Sequence, residues 1–265
     1  MAERTDPRRR DSFDAVAEDY DKARPRYPER LVADLVTLAD VGEGSKLLEI
    51  GPGTGQLTVP LAERGARLVA VERGPRLAEL VRRKLSRFEY VEVVTADFDH
   101  WSTHPGSFNV VIAATSFHWL DPSTRMARCA TLLRPGGRLA VVQTRWGVAQ
   151  GDDPFFVASR ICYSRWRPND DQSFRQPRPA DVPDPCRELT AHQFGKPVHR
   201  RYLCAREYSA AAYCALLSTF SDVLMLDVGH RVGFLSCISD LINSQFGGSV
   251  VRHDMYDLCI APRLG

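Results

Sequence analysis

Between residues 46 and 143 five short apolar runs alternate with helical stretches, and this alternation constrains the fold more than any other feature of the chain. The runs are KLLEI, RLVAVE, YVEVV, NVVIAA and RLAVVQ, and QLTVPLAER, PRLAELVRRKL and PSTRMARCATLL fall among them. Strands that are apolar throughout, rather than at every second residue, are covered on both faces. Helices between successive strands supply that cover, so the pattern predicts a parallel sheet sandwiched by helices. PGG at 135–137 is read as the end of a helix and the turn into the fifth strand.

The flanking segments are read the same way. SFDAVAEDYDKAR, residues 12–24, sets Phe13, Val16, Ala17 and Tyr20 on one helical face, and Pro25 stops the helix. PERLVADLVTLA predicts a second helix, with Pro28 in its first turn and Leu31, Leu35 and Leu38 inward. Beyond Trp146 the regularity fades. Six of the 17 prolines fall between Pro168 and Pro197, which predicts an irregular excursion over the surface rather than a core element. HRRYLCARE and SVVRHDMYDLCIA then read as two further strands of the same sheet, with helices in SAAAYCALLSTFS and RVGFLSCISDLIN. Asp121 and Pro122 are expected to open the helix after the fourth strand.

A chain of 265 residues, 44% hydrophobic, can bury one substantial core. We expect a single domain over 1–265. Its parts are a flexible tail and lid helix (1–27), a core (28–146), the excursion and sixth strand as a cap (147–206), and C-terminal helices with the last strand (207–265). A formal charge of +2 gives no global field that would mark nucleic acid or a membrane surface as partner. RRR at 8–10 reads as part of a solvated tail, with Glu3, Asp6 and Asp11 around it. The seven cysteines contain no CxxC and match no zinc or disulfide-scaffold spacing, so they are expected to be reduced, mostly buried thiols. With a polar N-terminus and no long apolar run, a soluble, cytoplasmic protein is expected.

LLEIGPGTGQL, residues 47–57, places Gly51, Gly53 and Gly55 between a buried strand and a helix, where backbone amides can approach a ligand. The dinucleotide fingerprint GxGxxG requires glycine at position 56, which is Gln56, so a nucleotide-dependent oxidoreductase becomes a lesser alternative. Glu72 ends the next strand, 21 residues after Gly51, at the distance where a carboxylate meets ribose hydroxyls. Asp97 and Phe98 follow the third strand. Ligands of open α/β sheets collect at this edge.

EIGPGTG, Glu72, the Asp97-Phe98 pair and LLRPGGRLAV together resemble the class I methyltransferases that use S-adenosylmethionine. FDAVAEDYDKARPRYP and TSFHWLDP are similar to a narrower group, small-molecule methyltransferases related to trans-aconitate methyltransferase. The resemblance runs from Phe13 to about Val142. It implies an α/β fold: a Rossmann-like, seven-stranded, mostly parallel sheet with helices on both faces and an N-terminal helical lid. It further implies that Gly51, Gly53 and Gly55 line the methionine part of S-adenosylmethionine, with Glu49 supporting the loop. Glu72 would hold the ribose, Arg73 lie beside the adenine, Asp97 accept from the adenine amino group with the Phe98 amide nearby, and Ala114 border the cofactor. Tyr20 and Arg24 of the lid could reach the cofactor's carboxylate or a carboxylated acceptor. The Asn/Asp-Pro-Pro-Tyr/Phe signature after the fourth strand is replaced by AATSFHW, which argues against methylation of DNA bases.

Transfer from a sulfonium asks mainly for alignment and exclusion of water, with a base only for a protonated nucleophile. Phe117, His118 and Trp119 stand where the acceptor is expected. His118 reads either as that base or as a structural donor to a backbone carbonyl, and Phe117 and Trp119 as cavity wall. Phe155, Phe156, Tyr163, Trp166 and Phe174 suggest room for an apolar or ring-containing acceptor. His100 and His104, though i, i+4, lie in a loop and no metal is expected. The second reading is a non-catalytic protein that binds the cofactor on the same fold. Acceptor, attacking atom and oligomeric state are not encoded in any motif.

Overall fold

The computed structural model describes residues 7–265 apart from 43, 150, 152, 172, 191 and 192. Residues 1–6, the outer part of the expected tail, lie outside the described residues. The five expected strands are β1 (Lys46–Ile50), β2 (Arg67–Glu72), β3 (Val91–Thr95), β4 (Phe108–Ala114) and β5 (Leu133–Arg145). With β6 (Val198–Ser209) and β7 (Ser249–Pro262) they form one sheet of order β3-β2-β1-β4-β5-β7-β6. Pairs among β1 to β5 are parallel, whereas β7 runs antiparallel to both β5 and β6. The order reverses at β1, which opens a crevice between the C-terminal ends of β1 and β4.

Apolar residues that alternate along these strands feed two cores. Leu47, Val110 and Ile112 point to the side of α3 (Glu29–Leu38) and α4 (Thr58–Ala62). Leu48, Ile50, Val111 and Ala113 point to the side of α6 (Arg125–Leu132). A third core joins α7 (Pro154–Trp166), α8 (Ala210–Leu217), α9 (Ser221–Leu224) and α10 (Val228–Gln245). No helix among the described residues is long and apolar enough to cross a membrane.

Several expectations need correction. The N-terminal helix is two, α1 (Pro7–Ala15) and α2 (Ala17–Ala23), broken at Val16, whose backbone leaves the helical region (φ −118°, ψ 27°). RRR belongs to α1 rather than to a solvated tail, and Arg10 Nη2 lies 3.2 Å from Asp97 Oδ1. Pro28 is the residue just before α3 instead of one in its first turn. Asp121 does not open α6; its side chain accepts from Ser123 N in a local turn, and α6 starts at Arg125. The helix before PGG ends at Leu132, so these residues lie within β5.

The excursion is not merely superficial. It contains α7, and Cys186, Leu189 and Phe194 are buried in the core beside β5 and β7. The cysteines are not all reduced: Cys162 is bonded to Cys237 and Cys186 to Cys259, leaving Cys129, Cys204 and Cys214 as thiols. Separations of 75 and 73 residues explain why no local spacing announced these pairs.

Candidate active site

β1 delivers the glycine turn to the crevice. Gly51, Gly53 and Gly55 all have positive φ (65°, 60° and 87°), which side-chain-bearing residues rarely adopt. Gly51 has a second constraint, because a Cβ there would fall 2.8 Å from Ser116 Cβ, across the crevice after β4. The Ser116 hydroxyl donates to the Ile50 carbonyl, so the ends of β1 and β4 are stitched together under the turn. Gly55 serves packing instead: its missing Cβ leaves room for Val81 of α5 (Pro75–Leu85), and it does not line the cavity.

Glu72 is buried at the end of β2, and its two oxygens accept from Gly53 N and Gly74 N, each at 2.9 Å. Burial raises its pKa, while those backbone donors oppose the rise. Glu49 is more isolated. It is 1% exposed, and Oε2 has no hydrogen-bond partner. Desolvation pushes its pKa up to about 7; the adjacent Thr58 hydroxyl opposes this without a well-aligned hydrogen bond, and the Glu72 charge adds to it. Asp97 lies outside the cavity lining and is already engaged, with Oδ1 accepting from Arg10 Nη2 (3.2 Å) and Asp99 N (3.1 Å), and Oδ2 from Arg73 Nη1 (3.2 Å). Phe98 is a buried ring beneath the Arg128 guanidinium.

The lid is docked on this edge. Asp14 of α1 accepts from Arg76 N (2.8 Å) and Leu77 N (3.0 Å), capping α5 from outside the helix. Glu18 and Asp21 of α2 pair with Arg83 and Lys84 of α5. Tyr20 faces the turn, its Cε1 3.9 Å from where a Gly53 Cβ would stand. Arg24 is 8% exposed, stacked on Tyr20, Trp146 and Phe220, and hydrogen-bonded to Thr219. It is therefore a buried cation and not the solvated end of a surface helix.

After β4 the backbone turns through Thr115, a non-glycine residue at φ 57°. The Thr115 hydroxyl is hydrogen-bonded to Tyr27 Oη (2.8 Å) and Thr144 Oγ1 (2.7 Å), which anchors this uncommon conformation. No motif assigns Tyr27, Thr115 or Thr144 to the site, and only the RPRYP run points toward the first. A short 3-10 turn, Phe117–Trp119, follows. Phe117 is buried under Arg125, Trp119 packs edge-on against Phe13 of the lid, and His118 is exposed toward the cavity with its ring 5.0 Å from Trp119.

All of this opens into one cavity of about 1350 Å³. Its lining includes the glycine turn, Glu49, Glu72 and Ala114, together with Phe155, Phe156, Tyr163 and Phe174 from the excursion. Trp166 is absent from that wall, because it fills the space left by Gly233 of α10. Asp184, Cys186 and Cys259 converge within 4.8 Å, but the disulfide between the cysteines leaves no thiolate there for a metal.

Residues 48–141 match a family model described as a methyltransferase domain. Among particular relatives, the chain is 33% identical over 131 residues to an uncharacterized methyltransferase of Mycobacterium tuberculosis, covering 49% of this chain and 51% of that one. It thus spans about half the length of the first curated relatives it matches. A methyltransferase-like protein of Schizosaccharomyces pombe is 26% identical over 227 residues, 85% of this chain and 82% of that one. A shorter match, 39% over 84 residues (29% and 22% of the two chains), reaches an rRNA adenine N-6-methyltransferase of Saccharopolyspora erythraea. Phosphoethanolamine N-methyltransferase 2 of Haemonchus contortus, solved with phosphomonomethylethanolamine and S-adenosylhomocysteine, shares the fold at TM-score 0.53 and 13% identity, covering 95% of this chain and 58% of that one.

Proposed function

We propose that the protein transfers a methyl group from S-adenosylmethionine to a small-molecule acceptor. The observation that carries this reading is that the positive-φ glycine turn and Glu72 line the same cavity as the aromatic residues Phe155, Phe156, Tyr163 and Phe174. The turn, bridged to Glu72 by Gly53 N, fits a cofactor that needs close backbone approach, and the unpartnered Glu49 Oε2 fits one that carries positive charge. When bound, the cofactor supplies an already activated methyl for direct displacement.

In this reading Gly51, Gly53, Glu72 and Ala114 hold it, with Tyr20 of the lid closing over the turn. Glu49 sits behind the loop as a carboxylate that a bound cation stabilises. Asp97 and Arg73 flank the adenine end, where Arg10 must yield part of its hold on Asp97. Phe117 and Trp119 wall off water, and His118 is placed to take a proton from an acceptor hydroxyl or amine. A small acceptor is favoured over RNA because residues of α7, α8 and α9 line the same cavity as the glycine turn. Cytoplasmic residence, the companion expectation, requires the bonds Cys162–Cys237 and Cys186–Cys259 to be kept where thiols are ordinarily reduced, which thiol trapping in intact cells tests.

Calorimetry with S-adenosylhomocysteine checks the first half, and saturable binding is expected. Incubation with methyl-labelled cofactor and a metabolite extract checks the second. Labelled product excludes the non-catalytic reading; binding with no product in any extract favours it.

A further inference from the structure

The cavity lining holds two buried arginines to which the reading above gives no role. Arg24, in the linker after α2, and Arg252, in β7, are each 8% exposed and both line the cavity. They stack on the same pair of rings. The Arg24 guanidinium carbon lies 4.3 Å from the Phe220 centroid and 5.0 Å from that of Trp146, and the Arg252 carbon 5.2 Å and 5.8 Å. Charge this far from water is costly unless donors are met and counter-charge is near.

Here the compensation is incomplete. Arg24 spends Nε and Nη2 on Thr219 Oγ1 (2.8 Å) and Thr219 O (2.9 Å), and no carboxylate among the described residues lies within ion-pair distance of it. Arg252 gives Nε to Asp254 Oδ1 (2.9 Å), an oxygen that also accepts from Gly147 N (3.0 Å). Arg24 Nη1 and both Nη atoms of Arg252 have no hydrogen-bond partner among the described residues. The neighbouring Arg167 is in a different state: Nη2 is 2.6 Å from Asp222 and Nε 2.7 Å from Asp170, so its charge is met within the protein.

Position along the cavity separates the two cations. Arg24 adjoins the glycine turn through one ring, since Tyr20 lies under it at 4.9 Å and also faces Gly53. The ring contacts of Arg252 are Trp146 and Phe220, not Tyr20. Tyr163 and Tyr213 stand close enough to act on its charge, and Tyr213 packs edge-on against Phe155 at 5.3 Å.

We propose that Arg252, with Arg24 beside it, determines specificity for an acceptor that carries one carboxylate next to an apolar or ring-shaped body. This rests on the methyltransferase reading above and deepens it. The free Nη pair of a guanidinium presents two parallel donors to a planar carboxylate. One negative charge offsets the one cation of the pair without a counter-ion, and Trp146, Tyr163 and Phe155 cover the remainder of the acceptor.

The test uses the full-length chain loaded with S-adenosylhomocysteine, titrated with benzoate, phenylacetate, 3-phenylpropionate and hexanoate and with the amide of each. At least one acid binds, and its amide binds about tenfold or more weakly, the usual size of a lost charged hydrogen bond. Arg252→Gln loses the same factor for the acid while S-adenosylhomocysteine affinity is unchanged. Arg252→Lys, which keeps the charge and loses the fork, shows an intermediate loss and serves if the glutamine variant does not fold. The proposal is overturned if no acid of the set binds, or if acid and amide bind alike to the wild type. It is also overturned if the variants lose S-adenosylhomocysteine and not the acid, which assigns the pair to the cofactor's own carboxylate. Failure of S-adenosylhomocysteine to bind the wild-type chain overturns the methyltransferase reading itself, so the two failures are distinguishable.

Discussion

Glu49 illustrates how a residue can be prominent in a motif while its energetics come from packing. Its folded pKa of about 7, against an ordinary 4.5, means that between those values the folded chain holds a proton the unfolded chain has released. Stability therefore falls as pH rises from about 4.5 to 7 and is flat above, by an amount on the order of 3 kcal/mol. Glu49→Gln should raise the melting temperature at pH 8, with the gain shrinking toward pH 5, as thermal melts across that range will show. A second residue-level expectation concerns His118. If it takes the acceptor's proton, His118→Asn reduces turnover about a hundredfold or more with S-adenosylhomocysteine affinity retained; an unchanged rate removes it from the mechanism. Gly51, Gly53 and Glu72 were legible because turn and ribose geometry demand them at fixed spacing. Tyr27, Thr115 and Asp14 were not, since their partners lie 88, 88 and 63 residues away.

At the level of elements, the five parallel strands could be read from the chain because strands covered on both faces are apolar without interruption. Helix α7 could not. Phe155 and Cys162 are buried while Val157 and Ile161 are each 67% exposed, so apolar residues occur on both faces and the helical period is blurred. The lid helices read as one in the sequence because the i, i+3, i+4 face continues across Val16, and only the backbone shows the break. The lid's attachment to α5 also has a test. Asp14→Ala removes the acceptor for Arg76 N and Leu77 N and should cost about 1 kcal/mol, the usual scale of a helix cap. Faster amide exchange over residues 7–15 than in the wild type, with the sheet unchanged, is the expected signature; uniform exchange would show that α1 is held by other contacts.

For the whole molecule, the two disulfides give the clearest correction. Alkylation of the purified, denatured chain should label three cysteines before reduction and all seven after. Seven labels without reductant would return the chain to the reduced state that spacing alone suggested. Closing loops of 75 and 73 residues restricts the unfolded chain by up to about 4 kcal/mol each in the entropic account, so reduction should lower the melting temperature. The alternation of strand and helix, the glycine turn and the acids at the strand ends are legible in the chain alone, because each follows from local periodicity or from its place just after an apolar strand. Only long-range contacts decide which cysteines meet, that Arg10 engages Asp97, and that Arg24 and Arg252 share two rings in the cavity lining. Those contacts join residues distant in the chain, and their energies arise from burial, which no local pattern of residues records.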